Sequence, residues 1–368
     1  MSNKTTAICR KFILLLSFML ILQVINAQKD FGKVDTWLKD NLEELGGRAV
    51  LVIYKDGKVI HTQSENGLSK RQKMVAKFIA KRQGKDGSEM TEDLDPSSRL
   101  RIASCSKWLS AALVMTFVDE GKLSLEDTIG KFLPIMTANG KGNIRIWECL
   151  SHLTGIKSGT LKESMGEMKD IKSMDEAMEK IAPQPMEGEP GKTFHYSNVG
   201  LQIAGAVIEK ISGKSFETLF AERIAKPCDM KNTDFGKGAV ALPAGGAFST
   251  ANDYLNFLEM ILNNGKYNGK QVLSKSSIIN MQQNYAKGAT VVSSPAEAGS
   301  WGYGFGEWVM EEPNVRSEGV TSPGLFGSFP WVDNEKKYAG FLFCFNLKSK
   351  GRNERYKELK HLVDEALK

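Results

Sequence analysis

The sequence predicts an α+β fold in which one antiparallel sheet is assembled from both ends of the chain and a mostly helical part is inserted between them. Three observations lead there. A β-rich hairpin, Arg48 to Thr62, turns on Lys55-Asp56-Gly57-Lys58 near the start. Helical periodicity then dominates the middle, residues 104–299, and a strand pattern returns from Trp301 onward. Asp-Gly between two β-rich runs is a strong hairpin signal, because its residues accept the positive φ that tight turns need. With 368 residues, 41% hydrophobic and 25% charged, the chain is long enough for one large domain or two modest ones.

Taken in order, residues 1–27 form a separate unit. Lys4, Arg10 and Lys11 precede the apolar run Phe12 to Ile25, and Asn26-Ala27 leads into polar Gln28-Lys29-Asp30. That layout predicts a secretory signal peptide cut after Ala27, with an uncleaved membrane anchor as the alternative. The expected destination is the periplasm or the medium, with no stable membrane insertion after cleavage. The mature chain, residues 28–368, is expected to comprise an α/β part (28–103 and 300–368) and the mostly helical part.

Asp30 to Leu45 has amphipathic spacing ended by Gly46-Gly47 and predicts a helix. Lys70 to Arg82 predicts a basic helix with Met74, Val75, Phe78 and Ile79 on one face. Its plain reading is a solvated surface helix, with a membrane- or anion-facing role as the alternative. Ser104 to Glu120 is apolar all round and predicts a buried helix stopped by Gly121. Further helices are expected near 174–181, 198–211, 215–224 and 251–263. Strands follow at Tyr303–Met310, Gly327–Val332 and Tyr338–Asn346, and an amphipathic helix closes the chain at Asn353–Leu367. The two terminal helices would cover one face of the sheet.

Composition excludes several function classes. Net charge is +6, and removing residues 1–27 takes three basic and no acidic side chains, leaving +3. That is too small and diffuse for nucleic acid. Cys105, Cys149, Cys228 and Cys344 are widely spaced in apolar surroundings, so buried free thiols are expected rather than a disulfide framework. His61, His152, His195 and His361 lie far apart, with no HExxH or CxxC spacing, so neither a catalytic metal nor another cofactor is implied.

A hydrolase needs a nucleophile and a group to take its proton. No GxSxG elbow occurs. What does occur is Ser104-Cys105-Ser106-Lys107, an S-x-x-K opening the apolar helix. Residues three apart share a helix face, so the Lys107 amine can reach the Ser104 hydroxyl. Burial at the positive end of a helix weakens the hold of a lysine on its proton, and a neutral amine is what a general base requires. Open backbone amides at the same helix start can help hold an oxyanion. A Ser104 N-cap beside a solvated Lys107 is the alternative, and it fits poorly with so apolar a helix.

Ile102 to Pro134 resembles the active-site segment of the serine β-lactamase and penicillin-binding-protein superfamily, nearest the branch of class C β-lactamases, D,D-peptidases and related esterases. Leu150–Ile156 (LSHLTGI), Phe194–Gly200 (FHYSNVG), Ala244–Asp253 (AGGAFSTAND) and Trp301–Phe305 (WGYGF) match in the same order. The resemblance covers roughly residues 30–368 and implies that family's fold. It assigns Tyr196 and Asn198 to the Y-x-N motif, the tyrosine sharing proton transfer with Lys107 and the asparagine binding substrate and lysine. His195 and His152 fall outside the family's catalytic pattern and are expected to be structural.

One segment departs from that pattern. Where the family has K-T-G, K-S-G or H-x-G, this chain has Ser322-Pro323-Gly324. The resemblance implies that Ser322 and Gly324 face the substrate and that the Leu325 amide pairs with that of Ser104 as oxyanion donor. Pro323 would fit an edge strand. A serine offers one neutral donor where the family offers a cation for a carboxylate. Lys348, Lys350 and Arg352 could restore charge but read first as solvated loop residues. Trp301, Tyr303, Phe305 and Trp331 could line the cleft or be plain core.

The expected protein is therefore an exported serine hydrolase forming an acyl-enzyme on Ser104, esterase-like on small esters, amides or peptides. The alternatives are a β-lactamase or D,D-carboxypeptidase acting on cell-wall peptides, and a non-catalytic binding or sensor protein on the same fold. Oligomeric state is not encoded legibly.

Overall fold

The computed structural model describes residues 29–82, 87–159, 171–310 and 317–368; the expected signal peptide, residues 1–27, lies outside them. β1 (Arg48–Lys55) and β2 (Lys58–Asn66) form the predicted hairpin. Strands from the end of the chain extend it: β3 (Gly302–Tyr303), β4 (Trp308–Val309), β5 (Gly319–Thr321), β6 (Phe329–Asp333) and β7 (Tyr338–Cys344). The result is a seven-stranded sheet in the order β2-β1-β7-β6-β5-β4-β3. Every neighbouring pair is antiparallel, so the predicted architecture holds.

Side chains alternate across a strand, and both faces of the central pair are buried. On β1, Val50, Val52 and Tyr54 pack into the larger core with the helical part, as do Ala339, Phe341 and Phe343 on β7. Ala49, Leu51 and Ile53, with Tyr338, Leu342 and Cys344, face the other way. That second face is covered by the terminal helices α1 (Gly32–Asp40) and α7 (Arg352–Ala366), as expected. Trp37 and Leu38 pack there with Tyr356, Leu359 and Val363, and the Trp37 indole donates to Glu358 at 2.8 Å. α1 is shorter than predicted. The Asn41 amide and side chain both donate to the Trp37 carbonyl at 3.0 Å, the next amide turns to Lys39 O at 3.2 Å, and the chain continues in turns to Gly46 and Gly47.

Between α1 and α7 run α2 (Lys70–Arg82), α3 (Ser106–Asp119), α4 (Met174–Ile181), α5 (Val199–Ser212) and α6 (Ala251–Leu262). α3 is buried from Ser106 to Phe117, as its all-round apolarity predicted. Two further predictions need correcting. Tyr303–Met310 is not one strand but two, β3 and β4, reversed at Gly304-Phe305-Gly306. Gly306 has φ +73°, and a Cβ there would lie 2.3 Å from the Lys107 carbonyl, so the turn is pressed against α3. Pro323 does not mark an edge. β5 is an interior strand that ends at Thr321, so Pro323 lies beyond the ladder and removes no hydrogen bond from it.

Candidate active site

Ser104 sits in a single 3-10 turn, Ala103–Cys105, that feeds α3. Ala103 has φ +46°, an uncommon conformation for a residue with a side chain. Several bonds hold it there. The Ile102 amide donates to Ala247 O at 3.0 Å, and the Ala247 amide donates to Ser106 Oγ at 3.0 Å. Ser106 Oγ donates to Ala103 O at 2.5 Å, and the Tyr254 hydroxyl to Cys105 O at 2.8 Å. A strained backbone kept in place by its surroundings is a common feature of functional sites. The segment Ala244–Asp253 is thus explained as the clamp on this turn. Nothing in the sequence short of the folded contact announces the strain.

Lys107 is 1% exposed. Its Nζ donates to Ser104 Oγ at 3.1 Å, to Ala244 O at 2.8 Å and to Asn198 Oδ1 at 3.4 Å. Burial pushes its ammonium down to about 7 from the ordinary 10.5, because the charged form is poorly solvated there. Nζ also lies 4.7 Å from the centre of the Tyr196 ring. Tyr196 and Ser104 line the same cleft, and burial holds the phenol well above its ordinary value. The resting pair is therefore a readily deprotonated amine and a firmly protonated phenol. The structure brings together all four residues expected on the catalytic side, Ser104, Lys107, Tyr196 and Asn198, around one cleft of about 440 Å³.

Tyr196 follows a short parallel ladder, Thr193–His195 with Thr290–Ser293, and its amide donates to Ser293 O at 3.0 Å. Its ring is stacked on Trp308, with centroids 5.2 Å apart, and packs against His152 at 4.6 Å. His152 joins three of the sequence segments. Its Nδ1 accepts from the Ser197 amide at 3.4 Å, which puts the proton of the neutral ring on Nε2, donating to the Tyr303 hydroxyl at 3.0 Å. Burial keeps that imidazole uncharged. His152 is a positioning residue, in line with the structural role expected of it.

The opposite wall is Pro323-Gly324-Leu325. The first hydrogen bond of the nucleophile turn runs from the Cys105 amide to Ile102 O, so the Ser104 amide precedes the ladder and makes no hydrogen bond among the described residues. The Leu325 amide likewise makes no hydrogen bond among the described residues. These two open amides suit an oxyanion site. Gly324 lines the cleft, but its need for glycine lies behind it: a Cβ would meet the Ile102 carbonyl at 2.5 Å. The close approach is to the nucleophile turn, not to substrate.

Ser322 does not line the cleft, contrary to expectation. It is 2% exposed, and its hydroxyl lies 3.2 Å from Ser104 O and 3.0 Å from Gly306 O, where it can donate to these carbonyls. A serine beside two backbone acceptors turns inward to satisfy them. The aromatic set is also displaced from the cleft. Tyr303, Phe305 and Trp331 are fully buried, and Trp301 packs on the far side near Met310. Trp308, unremarked in the sequence, is the aromatic side chain that joins Tyr196 in lining the cleft.

Besides Lys107, two basic side chains reach the cleft, and each lies against an acidic one. His195 Nδ1 is bonded to Glu187. Arg352 is not a solvated loop residue. It is buried, paired with Glu297 at 3.0 Å, and donates to the carbonyls of Leu325, Asn346 and Lys348 at 3.0, 3.0 and 2.7 Å. Lys348 and Lys350 are exposed. Glu187, Glu297 and Arg352 are residues that sequence reasoning missed or misplaced, since their pairing depends on distant segments meeting. Cys105, Cys149, Cys228 and Cys344 are buried free thiols, as expected. Among the described residues no group of three or more His, Cys, Asp or Glu could hold a metal, and no helix is long and apolar enough to cross a membrane.

Comparison with known proteins agrees with this geometry. The β-lactamase family profile matches residues 38–365. An uncharacterized protein of Mycobacterium tuberculosis is 26% identical over 286 residues, 63% of this chain and 71% of the relative. A β-lactamase candidate from Bacteroides dorei superposes with a TM-score of 0.76 at 24% identity, covering 92% of this chain and 99% of that one. EstCE1, a hydrolase with promiscuous acyltransferase activity, superposes with a TM-score of 0.70 at 20% identity, covering 90% and 99%. At these identities the structural likenesses establish the fold.

Proposed function

This chain belongs to the β-lactamase family and is a hydrolase of that family; from that premise we propose that it cleaves small uncharged esters through an acyl-enzyme on Ser104. The observation that carries the proposal is the 3.1 Å contact between Lys107 Nζ and Ser104 Oγ, with the amine held near neutrality by burial. In acylation Ser104 Oγ attacks the carbonyl and its proton passes to Lys107. The oxyanion is held by the amides of Ser104 and Leu325. Tyr196, protonated at rest and lining the cleft beside Ser104, gives its proton to the departing alkoxide and is reprotonated by Lys107. Water then attacks the acyl carbonyl, its proton returning by the same route, and Ser104 leaves with a proton. Asn198 orients Lys107 and the substrate.

The preference for uncharged esters rests on the wall. His195 and Arg352 are each matched by a carboxylate, and the 322–325 segment supplies apolar Pro323 and Leu325 where a cation would be needed to hold a substrate carboxylate. Export belongs to the same proposal and is supported by the basic start and apolar run of residues 1–27.

The test is a fluorophosphonate probe followed by a substrate panel. A single mass adduct on Ser104, absent in Ser104→Ala, is expected, together with turnover of short aryl esters well above that of a cephalosporin or a D-Ala-D-Ala peptide. Faster turnover of the cephalosporin or peptide would make the protein a β-lactamase or carboxypeptidase. Failure to label Ser104 at all would leave a non-catalytic binding protein.

A further inference from the structure

We propose that the outward face of α2 docks on an anionic bilayer surface. α2 holds six basic residues, Lys70, Arg71, Lys73, Lys77, Lys81 and Arg82, and no acidic one. It follows directly from β2, the edge strand of the sheet. Its inner side is already used, since Ala80 is buried and Lys73 lies 3.7 Å from Asp93. What remains outside is unusual for a solvated helix. Met74 is 66% exposed, Phe78 61% and Val75 50%, three large apolar side chains within two turns of one element.

At 100° per residue, Met74 and Phe78 fall at the centre of one stripe, with Val75 beside them. Lys70, Lys77 and Lys81 flank it on one side, and Arg71 and Arg82 lie within it on the other. An ordinary surface helix turns its apolar stripe to the core and its charges to water. Here the apolar and basic groups share the exposed face. None of these five cations has an acidic partner among the described residues, and the Arg82 guanidinium instead lies 5.8 Å over the Phe78 ring. Charge complementarity therefore selects an anionic surface. The apolar centre selects one that can be entered, with the long basic side chains spreading to headgroup level. A bilayer containing anionic lipid meets both conditions. The proposal stands independently of the hydrolase reading.

The test uses the full chain with Cys9→Ser and Phe78→Cys, labelled with an environment-sensitive maleimide dye; the other cysteines are buried and leave position 78 as the labelling site. Vesicles of phosphatidylglycerol are expected to shift the dye emission to the blue, and pure phosphatidylcholine vesicles are not. Raising salt to about 1 M should reverse the shift. Adding Lys77→Gln and Lys81→Gln should weaken vesicle affinity about fivefold per charge, with the melting temperature unchanged. Because the dye reports on α2 itself, a chain held on vesicles by its first residues while the emission stays water-like would overturn the proposal. So would an equal shift with phosphatidylcholine. A blue shift that grows with protein concentration in the absence of vesicles would assign the face to a second copy of the chain instead.

Discussion

The two sides of the cleft are built on opposite terms. On the catalytic side, a lysine is buried at 1% exposure, a backbone residue is held at positive φ, and the lysine Nζ is bonded to Ser104, Ala244 and Asn198. On the wall at 322–325, the polar side chain has turned away into the protein, and the cleft meets a proline, a glycine, a leucine and one open amide, that of Leu325. The first side is organised for one proton-transfer reaction, whatever the acyl group. In the proposed reaction the second faces the acyl group. The family's chemistry can therefore persist in this chain while its carboxylate anchor is gone.

Replacing Lys107 breaks the comparison most severely. Lys107→Met is expected to lower kcat by about three orders of magnitude, as loss of a general base does. In the wild type, kcat/KM should rise with pH through about 7 as Lys107 sheds its proton. The same substitution should stabilise the fold. Between about 7 and 10.5 the unfolded chain holds a proton that the folded chain has lost, so Lys107 makes stability rise with pH across that window. The cost is fully present below it. Removing the amine should add about 2 kcal/mol at neutral pH, after allowing for the unpaired Ala244 carbonyl. Denaturant melts at two pH values measure both the gain and the lost slope.

Tyr196→Phe is next, with a fall of about a hundredfold in kcat and little change in KM, because the ring still stacks on Trp308 while the proton donor is gone. Steady-state kinetics on an aryl ester and on an alkyl ester separate the roles. The poorer alkoxide leaving group should suffer more.

On the wall, Leu325→Lys supplies the missing charge from a residue that is 36% exposed and lines the cleft. It should raise kcat/KM for a carboxylate-bearing ester about tenfold relative to its neutral analogue, consistent with one new ion pair. Smallest is Ser322→Ala. Its hydroxyl reaches only backbone carbonyls, so the expected result is a loss of about 1 kcal/mol in stability with unchanged substrate preference. A change in preference would return Ser322 to the cleft.

Much of this was visible in the residue pattern. β-rich runs on either side of Asp56-Gly57 mark the β1–β2 hairpin, and an apolar helix behind Ser104 and Lys107 marks a buried lysine beside a hydroxyl. Both are local in sequence, and local patterns survive folding when the packing agrees with them. The errors were of another kind. Ser322 was assigned to substrate because its segment aligns with a substrate-binding motif, yet two carbonyls from distant turns, Ser104 and Gly306, claimed its hydroxyl. Arg352 looked solvated because charged residues surround it in the chain, and Glu297, fifty-five residues away, buried it.

Residue pattern alone sets the sheet from both termini, the central helix, and the spacing that puts a lysine one turn from a serine. Those features depend on hydrophobic period and on residues three apart. Contacts across the fold alone hold Ala103 at positive φ, grip Tyr196 between His152 and Trp308, and pair Arg352 with Glu297. Each of these follows from contacts between segments far apart in the chain, where burial and pairing, not residue type, set the charge and direction of a side chain.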